Sequence, residues 1–139
     1  MPANESQIRR QLLNYHAKTV RSVIDAGETV ANAWPGNTAS ESNSVTEPLD
    51  HILKMRGLKQ KLVSFLRSGV AAGEMSTDAN LVPAPPYIVV TSRGPICRVT
   101  LDNDTRLVIS LELFGIRRNP TTYVFLDPDP SDCLSVSIP

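Results

Sequence analysis

The chain has 139 residues, 14 Lys plus Arg against 14 Asp plus Glu, and 41% hydrophobic residues, so it is long enough for a real core and neutral overall. That length needs no metal or disulfide to hold a core together, and zero net charge excludes a general attraction to nucleic acid or anionic membrane. No run approaches the ~18 to 20 uncharged apolar residues of a bilayer span, and "MPANESQIRRQLLNYH" has no apolar segment behind a basic start, so a cytoplasmic protein without membrane association is expected.

Residues 5–33 read as a helix. Ile8, Leu12, Tyr15, Thr19, Val23, Ala26 and Val30 recur at three- and four-residue steps, while Arg9, Arg10, Lys18, Arg21, Asp25 and Glu28 fall mostly on other faces. Asn4 is suited to cap the start, with Gln7 reaching back to it. Trp34-Pro35-Gly36 ends the helix, because a residue before proline is pushed out of helical backbone. Gly27 costs about 1 kcal/mol relative to alanine in this setting.

Residues 34–46 contain "PGNTASESNS", too polar to pack, and read as a flexible connection. A second helix is expected over 47–73, capped by Thr46 and accepting Pro48 in its first turn. Its apolar positions, among them Leu49, Ile52, Met55, Leu58, Leu62, Phe65, Leu66 and Val70, cover more than half the circumference. One neighbour cannot cover so wide an arc, so the helix should touch both the first helix and a sheet. Gly69 and Gly73 either admit a close neighbour or end the helix.

Residues 75–86, "MSTDANLVPAPP", form an extended linker. The period then changes from 3.6 to 2, and five strands follow within 87–138: "YIVVTSR", "ICRVTLD", "TRLVISLELF", "TTYVFLD" and "CLSVSI", with turns at Gly94-Pro95 and Asn103-Asp104 and loops "GIRRNP" and "PDPSD". In the third strand Leu107, Ile109, Leu111 and Leu113 share one face, which must be core. The fold class is therefore α+β: one domain over 1–139, an N-terminal two-helix hairpin packed on one face of a C-terminal five-stranded antiparallel meander. The opposite face carries Arg98, Thr100, Ser110, Glu112, Ser135 and Ser137, joined, depending on register, by Tyr87, Val89, Phe114, Tyr123 and Phe125.

Motifs with chemical meaning are scarce. "GVAAGEM" lacks the lysine and the preceding strand of a P-loop, and neither G-x-G-x-x-G nor G-x-S-x-G occurs. Cys97, Cys133, His16 and His51 are singletons, unlike the paired ligands of zinc sites. In a meander the two cysteines lie three strand spacings of ~4.8 Å apart, beyond disulfide reach, so two free thiols are expected. Asp127, Asp129 and Asp132 resemble a calcium loop only in charge, lacking its glycine and closing glutamate. No catalytic, cofactor-binding or metal-binding residue is nominated.

Basic residues give the one local signal. His51 to Gly69 carries Lys54, Arg56, Lys59, Lys61 and Arg67, and a loop adds Arg117 and Arg118. On a continuous helix Lys54 and Lys61 face away from the apolar arc, whereas Lys59, Arg56 and Arg67 lie within it and snorkel towards water or sheet acids such as Asp102, Asp104 and Glu112. Lys54, Lys61, Arg117 and Arg118 thus form the candidate interaction surface. The expected function is a small, non-enzymatic interaction or regulatory module that self-associates or binds a protein partner. A nucleic-acid accessory protein using the basic second helix is the alternative, and an enzyme with Cys97, His16 or His51 in a pocket between hairpin and sheet is a third reading.

Overall fold

A computed structural model describes residues 3–139. Helices come first and antiparallel strands follow, so the α+β class holds, but each expected helix is divided and the strands form two sheets. The first helical segment consists of α1 (Ala3–Tyr15) and α2 (Ala17–Asn32). Their junction is a kink, since His16 N–H still reaches Leu12 O and Val20 N–H still reaches His16 O. Asn4 lies inside α1 rather than capping it, and Gln7 Nε2 donates to Ala72 O at 3.2 Å instead of reaching back to Asn4.

The second segment consists of α3 (Asn43–Met55) and α4 (Leu58–Ala72), separated by a sharp bend. Gly57 sits there with φ +69°, a left-handed conformation that costs other residues about 1 to 2 kcal/mol. The bend is tight enough to pair Lys59 with Asp50. In an unbroken helix a nine-residue separation would hold them about 14 Å apart. The expected straight helix over 47–73 is therefore corrected.

The start of that segment is corrected too. Helix α3 begins at Asn43, so Pro48 occupies its interior. Part of the expected flexible connection is thus helical, and Thr38–Ala39 forms a short strand, β1, paired with Tyr123 and Val124.

Strands β2 (Ile88–Thr91), β3 (Gly94–Thr100), β4 (Arg106–Leu111) and β7 (Leu134–Ser137) form one antiparallel sheet in the order β2-β3-β4-β7. Strands β5 (Phe114–Arg117) and β6 (Thr122–Phe125) join β1 in a second, ordered β1-β6-β5. A single meander is excluded because the chain leaves the first sheet after Leu111. Leu113 N–H and Phe114 N–H bond to Arg93 O, and Phe114 then starts β5 inside what had read as one long strand and a loop. A one-turn helix α5 (Pro130–Cys133) returns the chain to β7 beside β4.

The turn between β2 and β3 is Ser92-Arg93, and Gly94 begins β3. Gly94 has φ +141°, and a Cβ there would collide with the Leu111 carbonyl oxygen.

Helix α4 contacts two partners as its wide apolar arc requires: helices α1 and α2 on one side, and β2 and β3 on the other. Both roles expected of its terminal glycines are filled. A Cβ on Gly69 would lie 2.9 Å from Ile109 Cδ1, so close approach to β4 requires the missing side chain. Gly73 caps the helix end, its N–H reaching Gly69 O. Gly27 of α2 is likewise buried, against Phe125 and Leu113. Leu107, Ile109, Leu111 and Leu113 are all core, together with Ile8, Leu12, Leu62, Phe65 and Phe114.

The 75–86 segment has no regular structure but is fastened down. Ser76 Oγ donates to Asp102 Oδ2 at 2.7 Å, Asp78 N–H to Asp102 Oδ1 at 3.1 Å, and Thr77 Oγ1 to Thr100 O at 2.8 Å. Asp102 therefore holds the linker rather than meeting a helix cation.

Candidate functional site

The four nominated cations occupy separate elements. Lys54 lies in the last turn of α3 and Lys61 in the first turn of α4, on either side of the Gly57 bend, while Arg117 ends β5 and Arg118 follows it in the turn. All four are exposed. Among the described residues the ion pairs are Lys59 with Asp50 and Arg93 with Glu112, so none of the four meets an acid. Arg56, expected to snorkel, donates to Thr29 Oγ1 at 3.1 Å.

The reactive side chains are placed for packing. Cys97 and Cys133 are free and buried, and desolvation pushes each thiol up to about 12. For Cys133 a backbone hydrogen bond from Glu112 works the other way, and the Glu112 charge adds to the rise. A thiol that holds its proton so firmly is a poor nucleophile. With β7 beside β4, the cysteines are about two strand spacings apart, still beyond disulfide reach.

His16 faces a groove of about 450 Å³ between α1 and α4. Its Nε2 lies 2.9 Å from Ser68 Oγ, and its ring meets Phe65 edge-on at 5.7 Å. Serine beside histidine is half of a nucleophile-base arrangement. The other half needs a partner that orients Nδ1 and donors aimed at an oxyanion. No such partner of Nδ1 is found among the described residues, and the contact serves to tie the α1–α2 kink to α4. His51 is exposed on α3 and takes no part. Among the described residues, no three His, Cys, Asp or Glu side chains converge as a metal cage.

More distinctive is the four-stranded sheet. Its helix-side face carries Ile88, Cys97, Val99, Leu107, Ile109, Leu111 and Leu134, all buried. The register sets a second face over which no described helix packs. Val89 is paired with Ile96, Ile96 with Ser110, and Ser110 with Ser135; Arg98 is paired with Val108, and Val108 with Ser137. Val89, Ile96, Arg98, Val108 and Ser110 are half-buried, while Thr100, Ser135 and Ser137 are exposed. An aliphatic strip thus runs across an otherwise polar surface. Phe114 and Tyr123 belong to the other sheet and are buried, so they do not enlarge it.

The two edges of this sheet differ. Arg98 N–H bonds to Tyr87 O at 2.9 Å, which fixes the alternation along β2: residues 87, 89 and 91 bond to β3, while Ile88 and Val90 direct their backbone groups outwards. Ile88 N–H is taken by Ala84 O at 3.1 Å. Among the described residues, nothing bonds to the Ile88 carbonyl, or to the N–H or carbonyl of Val90. At the far edge, Glu112 N–H bonds to Cys133 O, so the Leu134 carbonyl of β7 points outwards. There Arg9 of α1 takes it, Nε donating at 3.1 Å while its other nitrogen reaches Ser131 O. One edge is guarded by a helix cation, as sheets commonly require. The other is open.

The family described as Domain of unknown function (DUF7988) matches residues 6–139. The chain belongs to that family. No curated protein and no solved structure matches it. The family match therefore spans both helical segments and both sheets.

Sequence reasoning missed Arg9, Ser68 and the outward backbone groups of Ile88 and Val90. The expected meander places "YIVVTSR" at a sheet edge, but alternation alone does not say which of its backbone groups face outwards. The one available signal was Pro95 in "RGPIC". Proline has no N–H to give to β2, so opposite Val90 it suits a pair that exchanges no bonds between β2 and β3, and the ladder from β3 to β4 begins only after it, at Ile96. That pairing sets the alternation that turns the Val90 backbone outwards.

Proposed function

We propose that the protein is a non-enzymatic interaction module of the cytoplasm that self-associates through the helix-free face of its four-stranded sheet. The observation that carries this reading is the aliphatic strip of Val89, Ile96 and Val108, set among Arg98, Ser110, Ser135 and Ser137 on a face over which no described helix packs. An apolar strip within a polar rim is what an interface needs: apolar contact for affinity and polar surroundings for solubility of the free form. Protonated, buried thiols and a histidine engaged with Ser68 favour binding over catalysis. No described helix is long and apolar enough to cross a membrane, which agrees with an aqueous setting.

Light scattering across a wide concentration range tests the reading. A dimer or larger assembly is expected, converted to monomer by Ile96→Lys with the far-UV circular dichroism unchanged. A strictly monomeric parent protein would overturn it.

The exposed, unpaired state of Lys54, Lys61, Arg117 and Arg118 favours a second reading, phosphate contacts to nucleic acid. It predicts binding to DNA or RNA that weakens steeply with salt. Absence of binding at low salt removes it.

A further inference from the structure

We propose that the open edge of β2 receives an extended, basic peptide segment of a partner protein, which adds as a further antiparallel strand in the groove beside α3. This goes beyond self-association, which concerns the face of the sheet rather than its edge. Val90 presents an N–H and a carbonyl, and Ile88 a carbonyl, all directed away from β3. An antiparallel strand satisfies all three: one peptide residue exchanges both bonds with Val90, and the residue two further along donates to Ile88. Only an extended backbone offers donors and acceptors at that repeat.

The groove beside this edge, about 310 Å³, states the side-chain chemistry. Its wall is formed by Thr46, Glu47 and Asp50 of α3, Lys59 of α4, and Pro85. Lys59 is engaged by Asp50, which leaves Glu47, exposed and without a cation among the described residues, as the surplus charge. Peptide residues opposite Val90 and Ile88 project to the helix side of the sheet, where a lysine or arginine meets Glu47 and Asp50. The intervening residue projects to the helix-free side beside Val89, where a β-branched or aromatic side chain fits.

A second copy is a poorer occupant. Pairing two β2 edges about a two-fold axis keeps both α3 helices on the same side, setting Glu47 and Asp50 of each copy against the same acids of the other. Like charges brought together at an interface disfavour that pairing. The guarded β7 edge makes the contrast within one sheet, since the chain covers one edge with Arg9 and leaves β2 bare.

Selection of a random nine-residue peptide library, displayed on phage, against the full chain is the test, with the enriched peptides then synthesised. Enriched sequences should alternate β-branched or aromatic residues with lysine or arginine. Their binding should slow hydrogen exchange at the Val90 amide. Val90→Pro, which removes that N–H, should weaken binding about tenfold. Glu47→Lys, an exposed change on α3, should weaken it as well, so a folding defect in the proline variant cannot decide the matter. Ile96→Lys should leave peptide binding intact, which separates this proposal from self-association through the face. The proposal is overturned if no sequence is enriched, or if enriched peptides bind Glu47→Lys undiminished without changing Val90 exchange. It is equally overturned if Val90 is protected without peptide in proportion to protein concentration, because the edge is then held by a second copy.

Discussion

The indole N–H of Trp34 donates at 3.1 Å to the carbonyl of Ser44, the group that Pro48, four residues on, has no N–H to bond. An interior proline breaks one rung of a helix, and here a side chain from outside the helix supplies the missing donor. Trp34→Phe keeps ring packing near Phe114, 5.7 Å away, but should cost about 1 kcal/mol by leaving the carbonyl unpaired. Pro48→Ala restores a backbone donor, so the same Trp34 change should cost much less in that background. Urea denaturation of the four proteins measures the coupling. Additive losses would show that the indole bond does not substitute for the missing rung.

At the Gly57 bend, backbone conformation and an ion pair can be separated. A Cβ on Gly57 would meet nothing within 4 Å, so Gly57→Ala should cost only the left-handed backbone term, about 1 to 2 kcal/mol, and Gly57→Asn less. Lys59→Ala removes the partner of Asp50, whose side chain is 49% exposed, and should cost about 1 kcal/mol or less. Denaturant midpoints for the three variants check the order, and equal losses for alanine and asparagine would sink the backbone explanation.

The sequence contained the core faces but not the places where the chain changes direction. Ile8, Leu12, Val23, Ala26, Val30 and the Leu107 to Leu113 series are buried as their spacing requires. Tyr15, on the same helical spacing, is 76% exposed because α1 gives way to α2 just after it. Helical periodicity assumes a straight axis, so it carried Tyr15 inwards and ran α3 into α4 through Gly57. Similarly, alternation continued from β4 to Phe114 while the hydrogen-bond partner changed from one sheet to the other. The candidate surface was legible only as charge. The meander already put β2 at an edge, but the placing of β7 beside β4 and its cover by Arg9 depend on long-range pairing that local pattern does not contain.

Gly94 and Leu111 join the two hairpins of the larger sheet at a point that admits no side chain. Gly94→Ala would combine an unfavourable φ of +141° with a collision against backbone oxygen, a group that cannot rotate aside. The expected loss exceeds about 3 kcal/mol, a large share of the about 5 to 15 kcal/mol by which domains are ordinarily stable. Thermal denaturation should show a large fall in midpoint or no cooperative transition. A near-normal midpoint would mean that β3 does not enter the sheet in this register.

The buried thiols make stability depend on alkaline pH. Their folded-state values, raised by burial from the ordinary 9.0 to about 12, exceed those of the unfolded chain. Below the unfolded value both states hold the proton and the contribution is fully present. Between about 9 and about 12 the unfolded chain releases protons that the folded chain keeps, so stability falls as pH rises. Each thiol can contribute at most about 1.4 kcal/mol per pH unit. Urea titrations of the parent protein and Cys97→Ala, from about pH 8 to about pH 10, isolate one thiol because the other alkaline groups are common to both. The parent should lose stability more steeply, and Ellman's reagent should modify its thiols at neutral pH only after denaturant is added. Parallel pH profiles, or rapid labelling of the native protein, would place Cys97 outside the core.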